Sequence, residues 1–347
     1  MYISTALILC VAAAGALAAF NSNSKSNLAI YWGQNSANQA TSQDRLSVYC
    51  QSSDVDIIIM SFLIQINGAG GEPVLNFANQ IDDKKGCKLL PGTALWQCPE
   101  IEADIQDCQT KYGKTVLLSI GGATYNEGFA SEQAAVDAAN KVWNTFGPPQ
   151  NTQSLRPFGN AFVNGFDFDF EGVIPNAAPF AAELRRLIDS CTSQTKQFFY
   201  LSAAPQCPFP DYFGKDILDN VALDFLMIQF YNNYCGVSGF VAGQEAQPNF
   251  NLNIWDQWAR TQAKNTNTRL LVGVPANLGA GAGYVDSNAL ARVIEYSRGF
   301  EKFGGVMMWD ASQAWANGNF VGDVKSKLRD RVSRPRRHSR HEGGVGV

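Results

Sequence analysis

"NGFDFDFEG", residues 164–172, decides how the chain is read. Gly165, Asp167, Asp169 and Glu171 fall on every second position, and Phe166, Phe168 and Phe170 fill the gaps. Side chains alternate along a strand, so neighbours two apart share a face at about 6.6 Å spacing. A strand here has one face of phenylalanines, suited to packing under helices, and one face of acids, which must then look into an interior. Three acids in a low-dielectric interior cannot all ionise cheaply, so their pKa values spread. A carboxylic acid can thereby stay protonated near neutral pH and act as a general acid. Two blander readings stand beside this one. A calcium site also uses alternating acids, but in a loop rich in Gly and Asn and not in a Phe-spaced run. A solvated acidic edge sits poorly between such apolar flanks.

Working outward, "AFVNGFDFDF" (161–170) is one of eight short apolar runs. The others are "LAIYWG" (28–33), "VDIIIMSFL" (55–63), "TVLLSIGG" (115–122), "QFFYLSAAP" (197–205), "LDFLMIQFY" (223–231), "RLLVGVPA" (269–276) and "GGVMMWD" (304–310). Helical patterns lie between several of them, at 131–146, at 178–193 with Phe180, Leu184, Leu187 and Ile188 on one face, and at 287–300 with Ser287 or Asn288 as N-cap. Near-continuous apolar strands alternating with helices imply a parallel sheet covered on its outer face. Eight such units predict a single α/β domain, a (β/α)8 TIM barrel, over 20–324. An open doubly wound sheet is the alternative, but no Gly-rich dinucleotide fingerprint follows the first strand. The acids then lie at the end of the fourth strand, with Glu171 at its C-terminal tip, where barrel enzymes place their chemistry. The long irregular stretch 64–110 fits a loop on that same side.

Composition narrows the chemistry. The chain is 46% hydrophobic and 17% charged, enough for a large core. Net charge is −4, but residues 325–347 carry eight Lys/Arg against two Asp/Glu, so the remainder carries 19 against 29. An acidic body argues against nucleic acid as its partner. Both histidines, His338 and His341, lie in that basic segment, read as a solvated tail. Acid–base work in the body therefore falls to carboxylates, Tyr or Lys, and Ser-His-Asp or Cys-His catalysis is excluded. Residues 1–19, apolar and ending in Ala-Leu-Ala-Ala, read as a signal peptide, which implies a secreted protein, extracellular or at the cell wall. No other stretch is long enough to span a bilayer, and the C-terminus gives no lipid-anchor signal. Of eight cysteines, Cys10 leaves with that segment. Seven then remain in an oxidising compartment, which suits three disulfides and one free thiol; spacing alone leaves the pairing open.

These motifs resemble glycoside hydrolase family 18, and within it the plant and fungal class III chitinases. "NGFDFDFE" matches the family pattern D-G-x-D-x-D-x-E except at its first position. "YWGQN" (31–35), "SIGG" (119–122), "LSAAPQCPFPD" (201–211), "QFYNNYC" (229–235) and "GGVMMW" (304–309) match in family order across nearly the whole body. The resemblance implies hydrolysis of β-1,4-linked N-acetylglucosamine polymers with retention, the substrate's own N-acetyl oxygen serving as nucleophile. It implies Glu171 as general acid/base, Asp169 as the residue that orients the acetamido group, Asp167 as its proton-sharing partner, and Tyr231 as donor to the acetamido carbonyl. It places Gln229, Trp309, Tyr31, Gly121, Gly122 and Asn232 at substrate-binding positions, with Trp309 under the sugar at the cleavage point and the glycines in a steric role. It pairs Cys50 with Cys108, Cys87 with Cys98 and Cys207 with Cys235, and leaves Cys191 free. Chitin or its oligosaccharides are the implied partner, of a monomer with neither metal nor cofactor.

Asn164 stands where the pattern has Asp, and a modest change of pH profile is the expected consequence. Three rival readings share these residues. Some superfamily members are lectins or enzyme inhibitors that have lost the catalytic acid; an endo-β-N-acetylglucosaminidase acting on N-glycans would differ in its loops; and transglycosylation would use the same site. The presence of Glu171, Asp169 and Tyr231, with "QFYNNYC" and "AAPQCPFPD", favours the chitinase.

Overall fold

The computed structural model describes residues 20–150 and 154–329. Over them the apolar runs become eight strands: β1 (Asn27–Trp32), β2 (Ile57–Gln65), β3 (Thr115–Gly121), β4 (Gly165–Asp169), β5 (Tyr200–Ala203), β6 (Phe225–Gln229), β7 (Arg269–Pro275) and β8 (Phe303–Trp309). Each pairs in parallel with the next, and β8 pairs with β1, so the sheet closes into the expected barrel and is not an open sheet.

Closure gives every strand an outer and an inner face, and the period of two sorts the residues between them. Leu28, Ile30, Ile58, Met60, Phe166 and Phe168 join the large core under the helices. Ala29, Tyr31, Ile57, Ile59, Leu117, Met227 and Met307 fill the lumen. The lumen is sealed at the strands' N-terminal end by Phe20. Its ring lies 4.5 Å from that of Phe225 and 5.1 Å from that of Tyr200, and its N–H donates to Thr115 Oγ1 at 3.1 Å. Those three residues open β6, β5 and β3, so the floor is aromatic and the acids stand toward the other mouth.

The outer layer comprises α1 (Leu46–Cys50), α2 (Pro99–Gln106), α3 (Glu132–Phe146), α4 (Ala177–Thr195), α5 (Lys215–Asn220), α6 (Leu252–Thr261), α7 (Ser287–Ser297), α8 (Ala311–Trp315) and α9 (Phe320–Arg329). Ser131 caps α3, its hydroxyl accepting from Ala134 N–H. Asp286, not Ser287 or Asn288, caps α7, because its carboxylate accepts from the N–H groups of Asn288 and Ala289.

Three disulfides form as the resemblance implied, Cys50–Cys108, Cys87–Cys98 and Cys207–Cys235. Cys191, expected free, is instead disulfide-bonded, and no free cysteine is found among the described residues. The expected C-terminal boundary also moves. Basic composition marked Lys325 as the start of a tail, but Phe320, Val321, Val324 and Leu328 recur at helical spacing and bury α9 against the core. Lys325 itself is buried, donating to Ser26 O at 2.9 Å and pairing with Asp56. The remainder of that tail, 330–347, and the apolar segment 1–19 lie outside the described residues.

Phe20→Ala should cost about 3–5 kcal/mol as a cavity-forming change, lowering Tm by roughly 1.5 °C per kcal/mol in a domain of this size. Phe198→Ala, at a ring 62% exposed, should leave Tm nearly unchanged. Thermal unfolding of the two variants checks the plug; equal shifts would contradict it.

Candidate active site

Register builds the site. The β3–β4 pairing sets Ser119 opposite Asp167 and Gly121 opposite Asp169, and the β4–β5 pairing sets Ser202 opposite Asp167. Asp167 is fully buried, yet both its oxygens are occupied. Tyr31 Oη and Ser119 Oγ each donate to Oδ2 at 2.7 Å, and Ser202 Oγ donates to Oδ1 at 2.7 Å. Burial raises the Asp167 pKa, while these three hydroxyls and the Phe168 N–H pull it back down.

Asp169 is nearly as buried but less well supplied. Gln229 Nε2 donates to its Oδ1 at 2.8 Å while also donating to Ala204 O at 3.0 Å, which fixes the amide. Burial, then the charges of Glu171 and Asp167, push the Asp169 pKa well above the ordinary carboxylate value, against the pull of the Gln229 bond. The two aspartates are thus unequal. Asp167 has the donors that stabilise a carboxylate, whereas burial and neighbouring charge favour the protonated form of Asp169.

Glu171 lies two residues beyond the end of β4 and is exposed at the barrel mouth. It makes no side-chain hydrogen bond among the described residues. The surrounding walls still crowd its carboxyl enough to raise its pKa above the ordinary value. Tyr231, buried just past β6, has its pKa pushed far up by burial and by the charges of Asp169 and Glu171, so its hydroxyl remains a proton donor facing the acids.

An aromatic wall completes the mouth. Trp309 ends β8, its ring 5.4 Å from Tyr31 and stacked at 6.0 Å on Phe62. Asp310 anchors the end of that strand. Its carboxylate accepts from Ser36 N–H at 3.0 Å and from Ser312 Oγ at 2.7 Å, tying β8 to the loop after β1. The glycines act sterically. A Cβ on Gly121 would lie 2.1 Å from Asp169 O, and one on Gly122 would lie 2.7 Å from the Phe62 ring.

The structure therefore brings Glu171, Asp169, Asp167, Tyr231, Gln229 and Trp309 to one end of the barrel. Tyr31 lies beneath the mouth with its hydroxyl committed to Asp167. Asn232 lies beside the site but clamps two loops together. Its N–H donates to Ala282 O at 2.9 Å, and its Oδ1 accepts from Ala282 N–H at 2.7 Å. Asn164 is far away. It precedes β4, seven residues before Glu171, roughly 20 Å along an extended chain, and its Oδ1 accepts from Val116 N–H and Gln109 Nε2 at 2.9 Å each. That distance removes the ground for an effect of Asn164 on the pH profile; its role is to join β4 to β3. Sequence reasoning missed Ser202, Phe62 and Asp211. Asp211, buried and adding to the negative charge felt by Asp169, accepts backbone N–H bonds from Gly214 and Gln206. All three lie in runs already noted as apolar or motif-bearing, but only the register shows what they face.

Residues 27–283 match the sequence pattern described as Glycosyl hydrolases family 18. The chain is 49% identical over 318 residues to a class III chitinase of Arthroderma benhamiae, covering 90% of this chain and 88% of that one. It is 48% identical over 316 residues to endochitinase 33 of Trichoderma harzianum, covering 90% and 95%. Among solved structures, it resembles a chitinase from Ipomoea carnea at 29% identity with a TM-score of 0.68, over 87% of this chain and 99% of that one. It also resembles a xylanase and α-amylase inhibitor protein from Scadoxus multiflorus, at 27% identity with a TM-score of 0.66, over 86% and 98%.

The raised Asp169 pKa has a consequence for stability. The folded chain holds this proton to a higher pH than the unfolded chain does. Unfolding therefore releases it between the two values, and stability falls as pH rises through that window. Asp169→Asn should raise Tm near pH 8 and change it little near pH 3, where the acid is neutral in both states. A variant no more stable than wild type at the higher pH would contradict the assignment.

Proposed function

The chain belongs to glycosyl hydrolase family 18, and from that premise we propose that it is a secreted endochitinase that cleaves β-1,4-linked N-acetylglucosamine chains with retention, Glu171 being the general acid/base. The observation that carries the reading is the placement of one solvent-open, hydrogen-bond-free acid just past the end of the strand that holds two buried ones. Among the described residues no second carboxylate is free to face it. Asp211 and Asp310, the other acids nearby, are both occupied by backbone N–H donors. A site so arranged has an acid but no protein nucleophile, which suits a substrate that supplies its own.

The steps follow from the residues. Glu171 gives its proton to the glycosidic oxygen as the C1–O bond breaks, and the acetamido carbonyl oxygen closes on C1 to form an oxazolinium. Asp169 accepts a hydrogen bond from the acetamido N–H and balances the positive charge. To do so it must be a carboxylate, so its proton passes to Asp167 as the oxazolinium forms and returns to Asp169 when the ring opens; the hydroxyls of Tyr31, Ser119 and Ser202 around Asp167 turn to accept or donate as that proton arrives or leaves. Tyr231 donates to the acetamido carbonyl, and Trp309 carries the sugar ring on its face. Glu171, now a carboxylate, takes a proton from water as the water oxygen bonds to C1 and the oxazolinium ring opens. Two inversions at C1 give retention. The disulfides suit an oxidising compartment, and among the described residues no helix is long and apolar enough to cross a membrane.

Likeness to the Scadoxus multiflorus inhibitor supports a second reading, a binding protein on an enzyme's scaffold. Reducing-end release from chitin oligosaccharides separates the two. Wild type should be active and Glu171→Gln, which keeps the shape and removes the proton donor, should lose about 10²–10⁴-fold in kcat. A wild type that binds the oligosaccharides without cleaving them would establish the binding protein, and one that does neither would direct attention to N-glycans.

A further inference from the structure

Away from the catalytic mouth, the flank between α1 and the α8–α9 pair holds a cavity of about 350 Å³ lined by Trp315, Gln51, Ser52, Asp54 and Asn319 among others. Its walls come from α1, the loop after it, and the α8–α9 pair. The chain from 51 to 56 then crosses the flank as a loop before β2 begins. The volume lies at the low end of the range for small-ligand sites.

The walls are held in place. The Trp315 ring is 37% exposed, and Tyr49 meets it edge-on at 4.8 Å and 80°, fixing the indole without covering it. The Cys50–Cys108 disulfide pins the end of α1. Asp54 is paired with Arg329 at 3.2 Å, and Asn319 Nδ2 donates to Asp323 at 2.9 Å. The Gln51 side chain is exposed and makes no hydrogen bond among the described residues.

The lining chemistry selects a ligand class. It offers an indole face, two amides, a hydroxyl and a carboxylate already neutralised by Arg329. No uncompensated charge favours an anion or a cation. An apolar platform ringed by neutral donors and acceptors suits a sugar ring, which lays its C–H face on the indole and turns its hydroxyl and amide groups outward. We propose that this flank cavity is a second carbohydrate-binding site, which holds a strand of the polymer to the barrel apart from the cleavage point. That the sugar is N-acetylglucosamine rests on the chitinase reading. Such a site strengthens attachment to insoluble polymer and leaves the turnover of short soluble chains alone.

The test measures adsorption of the full chain to insoluble chitin in a Glu171→Gln background, so that the polymer stays intact. Trp315→Ala should weaken adsorption about tenfold, Gln51→Ala should weaken it less, and Trp315→Tyr should recover most of it. With Glu171 restored, Trp315→Ala should hydrolyse chitotetraose at the wild-type kcat/KM. Should loss of the Tyr49 contact unfold Trp315→Ala, the Gln51→Ala and Trp315→Tyr variants carry the comparison. Adsorption unchanged in Trp315→Ala, or in Gln51→Ala where that variant decides, overturns the flank site alone. So does a matching loss of activity on chitotetraose, since Trp315 would then act through the fold. A parent that does not adsorb, and whose active form does not cleave oligosaccharides, overturns the chitinase reading and the sugar assigned here with it.

Discussion

Two carboxylates inside a closed parallel barrel are costly unless the surrounding strands supply donors, and most of this structure answers to that requirement. Asp167 draws hydroxyls from β1, β3 and β5, and Asp169 draws an amide from β6. Such convergence is possible only because closure brings side chains from non-adjacent strands into one lumen. The glycines serve the same end. Gly165 shares the acids' face, and a Cβ there would lie 1.8 Å from Tyr200 O, so β5 reaches its register only because β4 has none at that point. Gly121 does likewise for β3 against Asp169. The apolar floor closed by Phe20 leaves the acids' own mouth as the way in for water and substrate.

The unequal supply of donors turns burial into function. Three hydroxyls on Asp167 make it a tolerable anion. One amide on Asp169, with two acids nearby, favours its protonated form. Glu171 needs neither arrangement, because it stands past the strand's end with its hydrogen-bonding capacity unused. One alternating stretch of chain, β4 and the two residues after it, therefore holds three carboxylates in three environments, and their different environments give them different tasks.

The alternation in 164–172 revealed which faces the acids and phenylalanines take, and eight apolar runs revealed the barrel, because both follow from local periodicity. What faces Asp167 did not. Ser202 lies 35 residues away, and only the β4–β5 register puts it opposite. Tyr31, expected among the sugar contacts, lies one layer lower than its motif suggested. Asn164, one residue before the strand, lies at the barrel's other end, as the strand direction already implied; what the sequence did not show is that it joins β4 to β3 through Val116 and Gln109. Charge composition misplaced the C-terminal boundary because it does not register that Val321, Val324 and Leu328 draw Lys325 into the fold. In each case the missing information is long-range: a partner, a register or a packing surface that no local pattern encodes.

The claim on which the account depends is that the buried pair holds a proton at neutral pH and that Asp169 is where it stays. Site-resolved carboxyl carbon NMR across a pH titration of the substrate-free protein tests it directly. The account predicts that Asp169 titrates well above the ordinary value of 3.8, later than Asp167. Two independent titrations, both near that ordinary value, would contradict it.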